Sequence, residues 1–411
     1  MKIIILTPNY PRKNATMNGI FIHQQVKALQ ELGCECHVLQ DYNWFPRGGL
    51  HKSHIYWKAG FDSFHNYLDV VEGVTIHKVS SFVKMPNRLF TENYYDRLAR
   101  SFSRYIQKSS DLKNADWIYA HFLTDFGYIG TKVKALTGIK LAAIARGDDI
   151  HAWPKENPGL IHHIEVVFDH ADLIFANSQR LGKDANDLIG KKHQKQVHVI
   201  YNGVDSKKFR PPINGEKRSL QEKFNLDASK NYLLCVGTPL REKGWLELFD
   251  AMLEIKGQLK NWNLLCVAIN RESADALDLT EEARKRGLGN FVNVIGQLSH
   301  NHLSELYRAV DAFVLPSYNE GMANALLEAA ATNLKIIASD VGGHSEIFIN
   351  SHDCSLIQPR NLNELVLALQ KLINTNADTP VTTREKVLKL GTFLDNSKKL
   401  LEHFSKDQSV A

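Results

Sequence analysis

Two carboxylates, Glu320 and Glu328, bracket the run Glu320-Gly321-Met322-Ala323-Asn324-Ala325-Leu326-Leu327-Glu328. A strand-like stretch, Ala312–Leu315, and a turn, Pro316-Ser317-Tyr318-Asn319, precede it. This order predicts a strand, a tight loop and a helix starting near Met322 or Ala323. Free N–H groups at a helix N-terminus hold anions, above all phosphate, and Gly321 lets backbone approach a ligand closely. Glu328, about two turns into that helix, can accept hydrogen bonds from a diol such as a ribose. Its neighbours are Ala325, Leu326, Leu327, Ala329 and Ala330. Burial there without a partner is costly, which favours a ligand as the partner. Glu320 stays in the loop, near whatever the phosphate carries.

A second loop converges on the same chemistry. Val236-Gly237-Thr238-Pro239-Leu240-Arg241-Glu242-Lys243-Gly244 leaves a strand-like run and offers Arg241 and Lys243 between glycines. Two cations there can neutralise a diphosphate. A third loop, Gly342-Gly343-His344-Ser345-Glu346, again allows close backbone approach. Ligands of open α/β sheets bind at the carboxyl ends of strands, where all three loops fall.

The elements that must hold these loops are legible as an alternation. Short β-branched runs at Ile3–Leu6, Cys36–Leu39, Val74–Val79, Trp117–Ala120, Leu141–Ala145, Leu173–Ala176 and Val197–Ile200 alternate with helical patterns. The alternation breaks at Phe209-Arg210-Pro211-Pro212-Ile213-Asn214-Gly215, a linker composition. It restarts at Tyr232–Val236, Leu264–Ala268, Val292–Ile295, Ala312–Leu315, Lys335–Ala338 and Cys354–Ile357. With 411 residues, two domains are expected. The prediction is an α/β protein with two doubly wound halves, residues 1–209 and 215–392, each a parallel sheet covered on both faces.

The ordered motifs carry a resemblance. Glu320 and Glu328 match the E-x7-E signature of retaining GT-B glycosyltransferases, and the surroundings resemble glycosyltransferase family 4 (glycosyl transferases group 1). The residues that do so are Val236-Gly237 with Lys243-Gly244, Ala309-Val310-Asp311-Ala312-Phe313-Val314-Leu315-Pro316-Ser317 and Val341-Gly342-Gly343. In the first half they are Thr7-Pro8-Asn9-Tyr10-Pro11 with Gly19-Ile20-Phe21, Ala120-His121-Phe122, Ala145-Arg146-Gly147-Asp148-Asp149 and Tyr201-Asn202-Gly203-Val204-Asp205. The resemblance covers nearly the whole chain and implies two Rossmann-like domains facing across a cleft. The C-terminal domain would hold a nucleotide-diphosphate sugar, UDP-linked first and GDP-mannose next. The N-terminal domain would hold the acceptor, a glycan or lipid-linked hydroxyl, and the last helix, about 393–411, would pack back on it.

By the same resemblance, Lys243 and Arg241 bind the diphosphate with backbone around Gly237, Thr238, Gly321, Met322, Ala323 and Asn324. Glu328 holds the ribose, Gln297 and Leu298 belong to a loop whose backbone bears on donor specificity, and Glu320 orients the sugar. His121, counted with Glu320, Lys243 and Arg241 among the catalytic residues, lines the cleft from the N-terminal domain with Arg146 and Asp149, and Gly19 belongs to a loop at the domain junction. Two departures stand out: Thr238 where relatives often carry Arg, and Arg146 where many carry His. No cofactor and no metal are expected, since cations and helix N–H groups can stabilise the leaving diphosphate. Retention without an enzyme nucleophile implies attack by the acceptor hydroxyl on the departing face. The pathway expected is cell-surface polysaccharide, lipopolysaccharide or capsule synthesis. The alternatives are a small soluble acceptor or a non-catalytic sugar-nucleotide-binding scaffold. A dinucleotide oxidoreductase is disfavoured because no G-x-G-x-x-G follows either first strand.

The net charge of +5 is too small to announce a nucleic-acid binder. Cys34 and Cys36 read as small apolar residues on one strand face rather than a metal site, and the odd cysteine count suits a reducing compartment. No leader pattern follows Lys2, so a cytoplasmic place is expected, at the inner membrane face if the amphipathic segment 82–108 meets anionic lipid. Its basic stripe is Arg97, Arg100, Arg104 and Lys108. The aromatic-rich stretch 42–67 reads either as a binding surface or as an excursion that packs its own rings.

Overall fold

A computed structural model describes residues 1–13, 15–43, 55–81, 93–193, 195–269, 275–375 and 380–408. Two compact units form, one from Met1–Ile200 with Ser397–Ala411, the other from Tyr201–Asn396.

The first unit holds an eight-stranded sheet of β1 (Lys2–Leu6), β2 (Glu35–Asn43), β3 (Val70–Val71), β4 (Val74–Ser81), β5 (Trp117–His121), β6 (Lys140–Ala145), β7 (Leu173–Ala176) and β8 (His198–Val199). The order is β3-β4-β2-β1-β5-β6-β7-β8, parallel except for β3. Alternate residues of each central strand enter opposite cores. Ile4, Leu6, Ile118 and Ala120 join one cluster; Ile3, Ile5, Trp117 and Tyr119 join the other. That two-sided burial explains why the strands read as unbroken apolar runs. Cys34 and Cys36 are buried in the second of these clusters. The chain's last helix, Phe393–Gln408, sends Leu400 and Phe404 into it as well, with Phe404 stacked on Trp117 at 4.6 Å between ring centroids.

The second unit holds β9 (Asn231–Gly237), β10 (Trp262–Ala268), β11 (Val292–Ile295), β12 (Ala312–Leu315), β13 (Lys335–Ser339) and β14 (Cys354–Ile357), ordered β11-β10-β9-β12-β13-β14 and parallel throughout. The strand order reverses between β9 and β12, as it does between β1 and β5 in the first sheet.

The division between units falls ahead of the Pro211-Pro212 stretch expected to mark it. Residues 201–209 are tied into the second unit: the Asn202 amide donates to Met322 O at 3.2 Å, Phe209 packs edge-on against Tyr307, and Arg384 donates to the carbonyls of Ser206 and Phe209.

Two sequence expectations are refined. Of the 82–108 segment, residues 82–92 lie outside the described residues, and a helix spans Tyr94–Lys108, capped by Asn93 Oδ1 accepting from Asp96 N. Its apolar stripe, Leu98, Ala99, Phe102 and Ile106, is buried in the sheet's core, and Arg97 is buried too. Arg100, Arg104 and Lys108 are exposed. In the aromatic stretch, Trp44 and Phe45 lie outside the described residues, while Phe64, on the helix Ile55–Asn66, packs on Tyr42 with ring centroids 5.0 Å apart. Among the described residues no helix is long and apolar enough to cross a membrane.

Candidate functional site

At the reversal between β9 and β12, two loops interlock. Gly244 ends the first, at φ 72°, and a Cβ there would lie 2.1 Å from Pro316 O. Tyr318 N donates to Glu242 O at 2.8 Å across the same seam. The start of the first loop is held by Thr238 O, which accepts from the Trp245 indole N–H at 2.8 Å and from Leu240 N at 2.8 Å. The third loop locks the second: Gly343 N donates to Gly321 O at 2.8 Å. Gly342, at φ 53°, would place a Cβ 2.3 Å from both Glu320 O and Gly321 O.

Interlocking brings Lys243 Nζ to 2.8 Å from Glu320 Oε1, with 21% and 15% of the two side chains exposed. Burial pushes the Glu320 carboxyl up. The Lys243 ammonium, helped by His344, outweighs it and holds the group below the ordinary glutamate value. Glu320 is therefore an ionised acceptor at neutral pH. Burial pushes His344 down, and its Nδ1 lies 2.8 Å from Ser339 O, which as a carbonyl makes the nitrogen the donor. Arg241 stands exposed, within electrostatic reach of the Tyr318 phenol rather than paired with Glu320. The Arg360 guanidinium covers the face of that phenol ring at 4.3 Å.

The helix after the loop spans Asn324–Ala331, one or two residues later than expected, and no side chain caps its N-terminus. An uncapped first turn leaves N–H groups for an anion. Met322 O and Asn324 Oδ1 accept from the Asn202 amide at 3.2 and 3.1 Å, which seats the loop on the chain's own link segment.

Glu328 lies one turn in, not two, and it is not unpaired. Its Oε1 is 3.1 Å from His300 Nε2. His300 Nδ1 is 3.0 Å from Lys208 Nζ. A lysine ammonium only donates, so His300 Nδ1 accepts and Nε2–H donates to Glu328. This chain of contacts supplies the partner that burial of Glu328 among apolar neighbours requires, so that burial by itself does not call for a ligand. Gln297 and Leu298 lie half-buried in the loop between β11 and His300. Neither His300 nor Lys208 was anticipated. Ser299 caps the helix at His300, with its Oγ accepting from His302 N at 3.3 Å, and that Ser signal is readable; the partner 28 residues away is not.

Lys208 is positioned by its carbonyl, which accepts from Arg308 at 2.9 Å. Arg308 in turn meets Glu216, which Arg210 grips with two contacts of 2.7 and 3.0 Å. The Arg210 hydrogen bonds chiefly hold the Glu216 carboxyl down at about 2 against an ordinary 4.5. A depressed carboxylate contributes stability that is fully present above 4.5 and lost as pH falls towards 2. Thermal unfolding at pH 5, 4 and 3 is therefore expected to show a steeper acid loss for the wild type than for Glu216→Gln. Equal slopes would refute the assignment.

In the first unit the reversal lies between β1 and β5, and His121 is the last residue of β5. Its Nδ1 accepts from Arg146 Nε at 3.2 Å and from a terminal guanidinium nitrogen at 2.8 Å. Arg146 also donates to Gln25 Oε1 at 3.0 Å and covers the Phe21 ring at 5.1 Å. Both partners sit on the helix Ile20–Glu31, whose N-cap is Gly19. Gly19, at φ 63°, would place a Cβ 2.3 Å from Asn9 O. Asp149 is fully buried, and its oxygens accept from Leu123 N at 2.7 Å, Arg146 N at 2.9 Å and Gly147 N at 2.9 Å. Burial raises its pKa against these bonds. Asp149 thus positions backbone: it holds the turn at Phe122, whose φ of 70° is strained for a non-glycine residue. The structure brings Gly19, His121, Arg146 and Asp149 together in one unit. In the other it gathers Gly237, Thr238, Lys243, Glu320, Gly321, Met322, Ala323, Asn324 and Glu328.

Comparison with known proteins matches both units. The model of Glycosyltransferase Family 4 matches residues 19–208, and that of Glycosyl transferases group 1 matches residues 216–389. The putative teichuronic acid biosynthesis glycosyltransferase TuaC of Bacillus subtilis is 26% identical over 375 residues, 90% of this chain and 89% of its own. The lipopolysaccharide core biosynthesis mannosyltransferase LpsB of Rhizobium meliloti is 32% identical over 36% of this chain and 42% of its own. Among solved structures, sucrose-phosphate synthase from Thermosynechococcus elongatus superposes with a TM-score of 0.78 at 18% identity, covering 100% of both chains. Anabaena HepE in complex with UDP-glucose gives 0.73 at 17%, covering 99% of this chain and 100% of that one. The chain belongs to the glycosyltransferases of GT-B fold, resembles family 4 among them, and is an enzyme that transfers a sugar from a nucleotide-sugar donor.

Proposed function

We propose that this chain is a retaining transferase that moves a hexose or hexosamine from a UDP-sugar, with GDP-mannose the next choice, to a hydroxyl of a glycan or lipid-linked acceptor in cell-surface polysaccharide synthesis. The observation that carries the reading is the Lys243–Glu320 pair at the carboxyl edge of the second sheet, beside an uncapped helix. The second unit takes the donor. Lys243 and the N–H groups before Ala325 meet the diphosphate, and Arg241 adds positive potential from the rim. Glu320, kept ionised, accepts hydroxyl protons of the sugar and orients it. Glu328, aimed by His300, accepts from the ribose.

Chemistry follows from where charge develops. Breaking the anomeric C–O bond leaves the electron pair on the diphosphate. A fixed ammonium and backbone dipoles stabilise that charge without reorganising, commonly the largest catalytic contribution, so the reading requires no metal. The acceptor hydroxyl forms the new bond on the face the diphosphate leaves, which retains configuration. TuaC and LpsB are named for teichuronic acid and lipopolysaccharide core biosynthesis, which supports a polysaccharide or lipopolysaccharide as product. Contact with an anionic membrane, if the acceptor is lipid-linked, would run through exposed Arg100, Arg104 and Lys108, because the helix's apolar side is buried.

Thermal shifts with UDP, GDP and ADP and their sugar conjugates test the donor. At a hundred times its dissociation constant, a nucleotide adds about 2.7 kcal/mol. The expected result is a clear rise in Tm for the uridine series, lost in Glu328→Ala. A rise only with guanosine compounds moves the donor to GDP-mannose. No rise with any of them overturns the donor-site reading in favour of a scaffold.

A further inference from the structure

His121 can be read further than its position at the end of β5. A guanidinium has only donors, and two of its nitrogens converge on one ring nitrogen, His121 Nδ1, at 3.2 and 2.8 Å. An Nδ1–H would point its hydrogen at theirs. The other ring nitrogen, Nε2, is buried and has no hydrogen-bond partner among the described residues. Arg146 cannot swing away easily. Gln25 holds its outer nitrogen, Asp149 its backbone N–H, and the Asn177 amide its carbonyl at 3.3 Å.

We propose that Arg146 is a positioning residue that locks His121 as a neutral imidazole with its proton on Nε2, so that this unit offers a fixed hydrogen-bond donor and no base. A guanidinium at this position only donates, whereas an imidazole could also accept, so Arg146 leaves His121 Nδ1 no role but that of acceptor. The orphaned Nε2–H is then the group left for an oxygen acceptor, a sugar hydroxyl or carboxylate oxygen of the substrate. This last step rests on the transferase reading; the proton's place on the ring does not.

The groups packed around the ring agree. Tyr119 lies beside it at 4.6 Å between centroids, its phenol pushed up to about 12 chiefly by burial, so it stays neutral. Asp149 spends its oxygens on three backbone N–H groups. Asp125, in the turn that follows, accepts from the Tyr95 hydroxyl at 3.4 Å. On the helix Ile20–Glu31, Gln25 is uncharged, and His23 is turned to Tyr10 and Glu72. Arg146 is thus the cation that faces the ring among these groups; burial first, and the Arg146 charge after it, drive the His121 pKa far down.

Long-range 1H–15N spectra of ring-labelled protein read the tautomer directly, with His121 identified by its loss in His121→Gln. The expected result is an Nε2–H ring whose shifts do not move between pH 5.5 and 8.5. In Arg146→Met, a side chain of similar length without donors, Nδ1 is released, so the variant's ring should gain the Nδ1–H tautomer and its midpoint should rise above that of the wild type. Wild-type kcat/KM should show no acid limb from an imidazole, and the variant should gain one that falls tenfold per pH unit below the new midpoint. Arg146→Lys, which keeps a donor, should move back towards the wild-type profile. In wild type an Nδ1–H tautomer or a midpoint inside the window, or in Arg146→Met a loss that is equal at every pH, would overturn the proposal. If no sugar is transferred under any condition, the spectra still decide the tautomer, and only the transferase reading fails.

Discussion

Glu320→Gln is expected to lower kcat by about 10²–10³-fold while changing donor affinity less than tenfold, the scale seen when one preorganised electrostatic contact is removed. Glutamine keeps the length and one carbonyl oxygen, so Lys243 retains a neutral acceptor at the 2.8 Å contact. What disappears is the charge. Ground-state binding depends mainly on the diphosphate cradle, which Glu320 does not build. Orientation of the sugar, and any positive charge at its anomeric carbon in the transition state, depend on an ionised carboxylate. Hence the loss falls on kcat rather than on affinity. Folding should survive, because the Lys243 side chain stays 21% exposed and can recover solvent. Single-turnover rates with titrated donor separate the two effects. A kcat within threefold of wild type would remove Glu320 from the machinery, and a large loss of nucleotide binding with unchanged kcat would reassign it to the cradle.

Much of this arrangement was legible beforehand, and the exceptions share a cause. Parallel strands announce themselves because two-sided burial demands continuous apolar runs such as Ile3–Leu6. The missed element, β3, is two residues long and pairs antiparallel with β4 across Glu72-Gly73, whose φ values of 45° and 85° form a hairpin turn. Two residues cannot show a period. Site loops were legible as glycine and charge at strand ends. Partners were not: His300 reaches Glu328 over 28 positions, and Arg146 reaches His121 over 25. Sequence shows that a carboxylate or imidazole exists at a strand or helix end; only packing shows who holds it. The same limit governs Asp149. It reads as a cleft carboxylate from its motif, yet its oxygens are committed to backbone N–H groups. Glu328 follows the pattern from the other side, since its burial suggested a missing ligand and a histidine supplies the partner.

Gly342→Ala should be as damaging as loss of a charged group, although no side chain is lost. The added methyl would sit 2.3 Å from the carbonyl oxygens of Glu320 and Gly321, both backbone, with no flexible end to yield. The φ of 53° adds about 1–2 kcal/mol for a non-glycine residue. Relief requires moving the third loop away from the second, which breaks the Gly343 N to Gly321 O bond of 2.8 Å and displaces Glu320 from Lys243. Destabilisation of at least about 2 kcal/mol follows, several degrees in Tm for a unit of this size. Donor affinity should fall at least tenfold at temperatures where the fold persists. Gly257→Ala is the matched control, because a Cβ there meets nothing within 4 Å and the backbone carries no left-handed φ. It should leave both Tm and donor binding near wild type. If Gly342→Ala binds donor as tightly as Gly257→Ala, the three loops do not act as one cradle. The site would then rest on the side chains of Lys243, Glu320 and Glu328 alone. If it fails in binding while holding its Tm, the backbone itself is part of what the nucleotide touches, and the glycines belong to the site as much as the charges do.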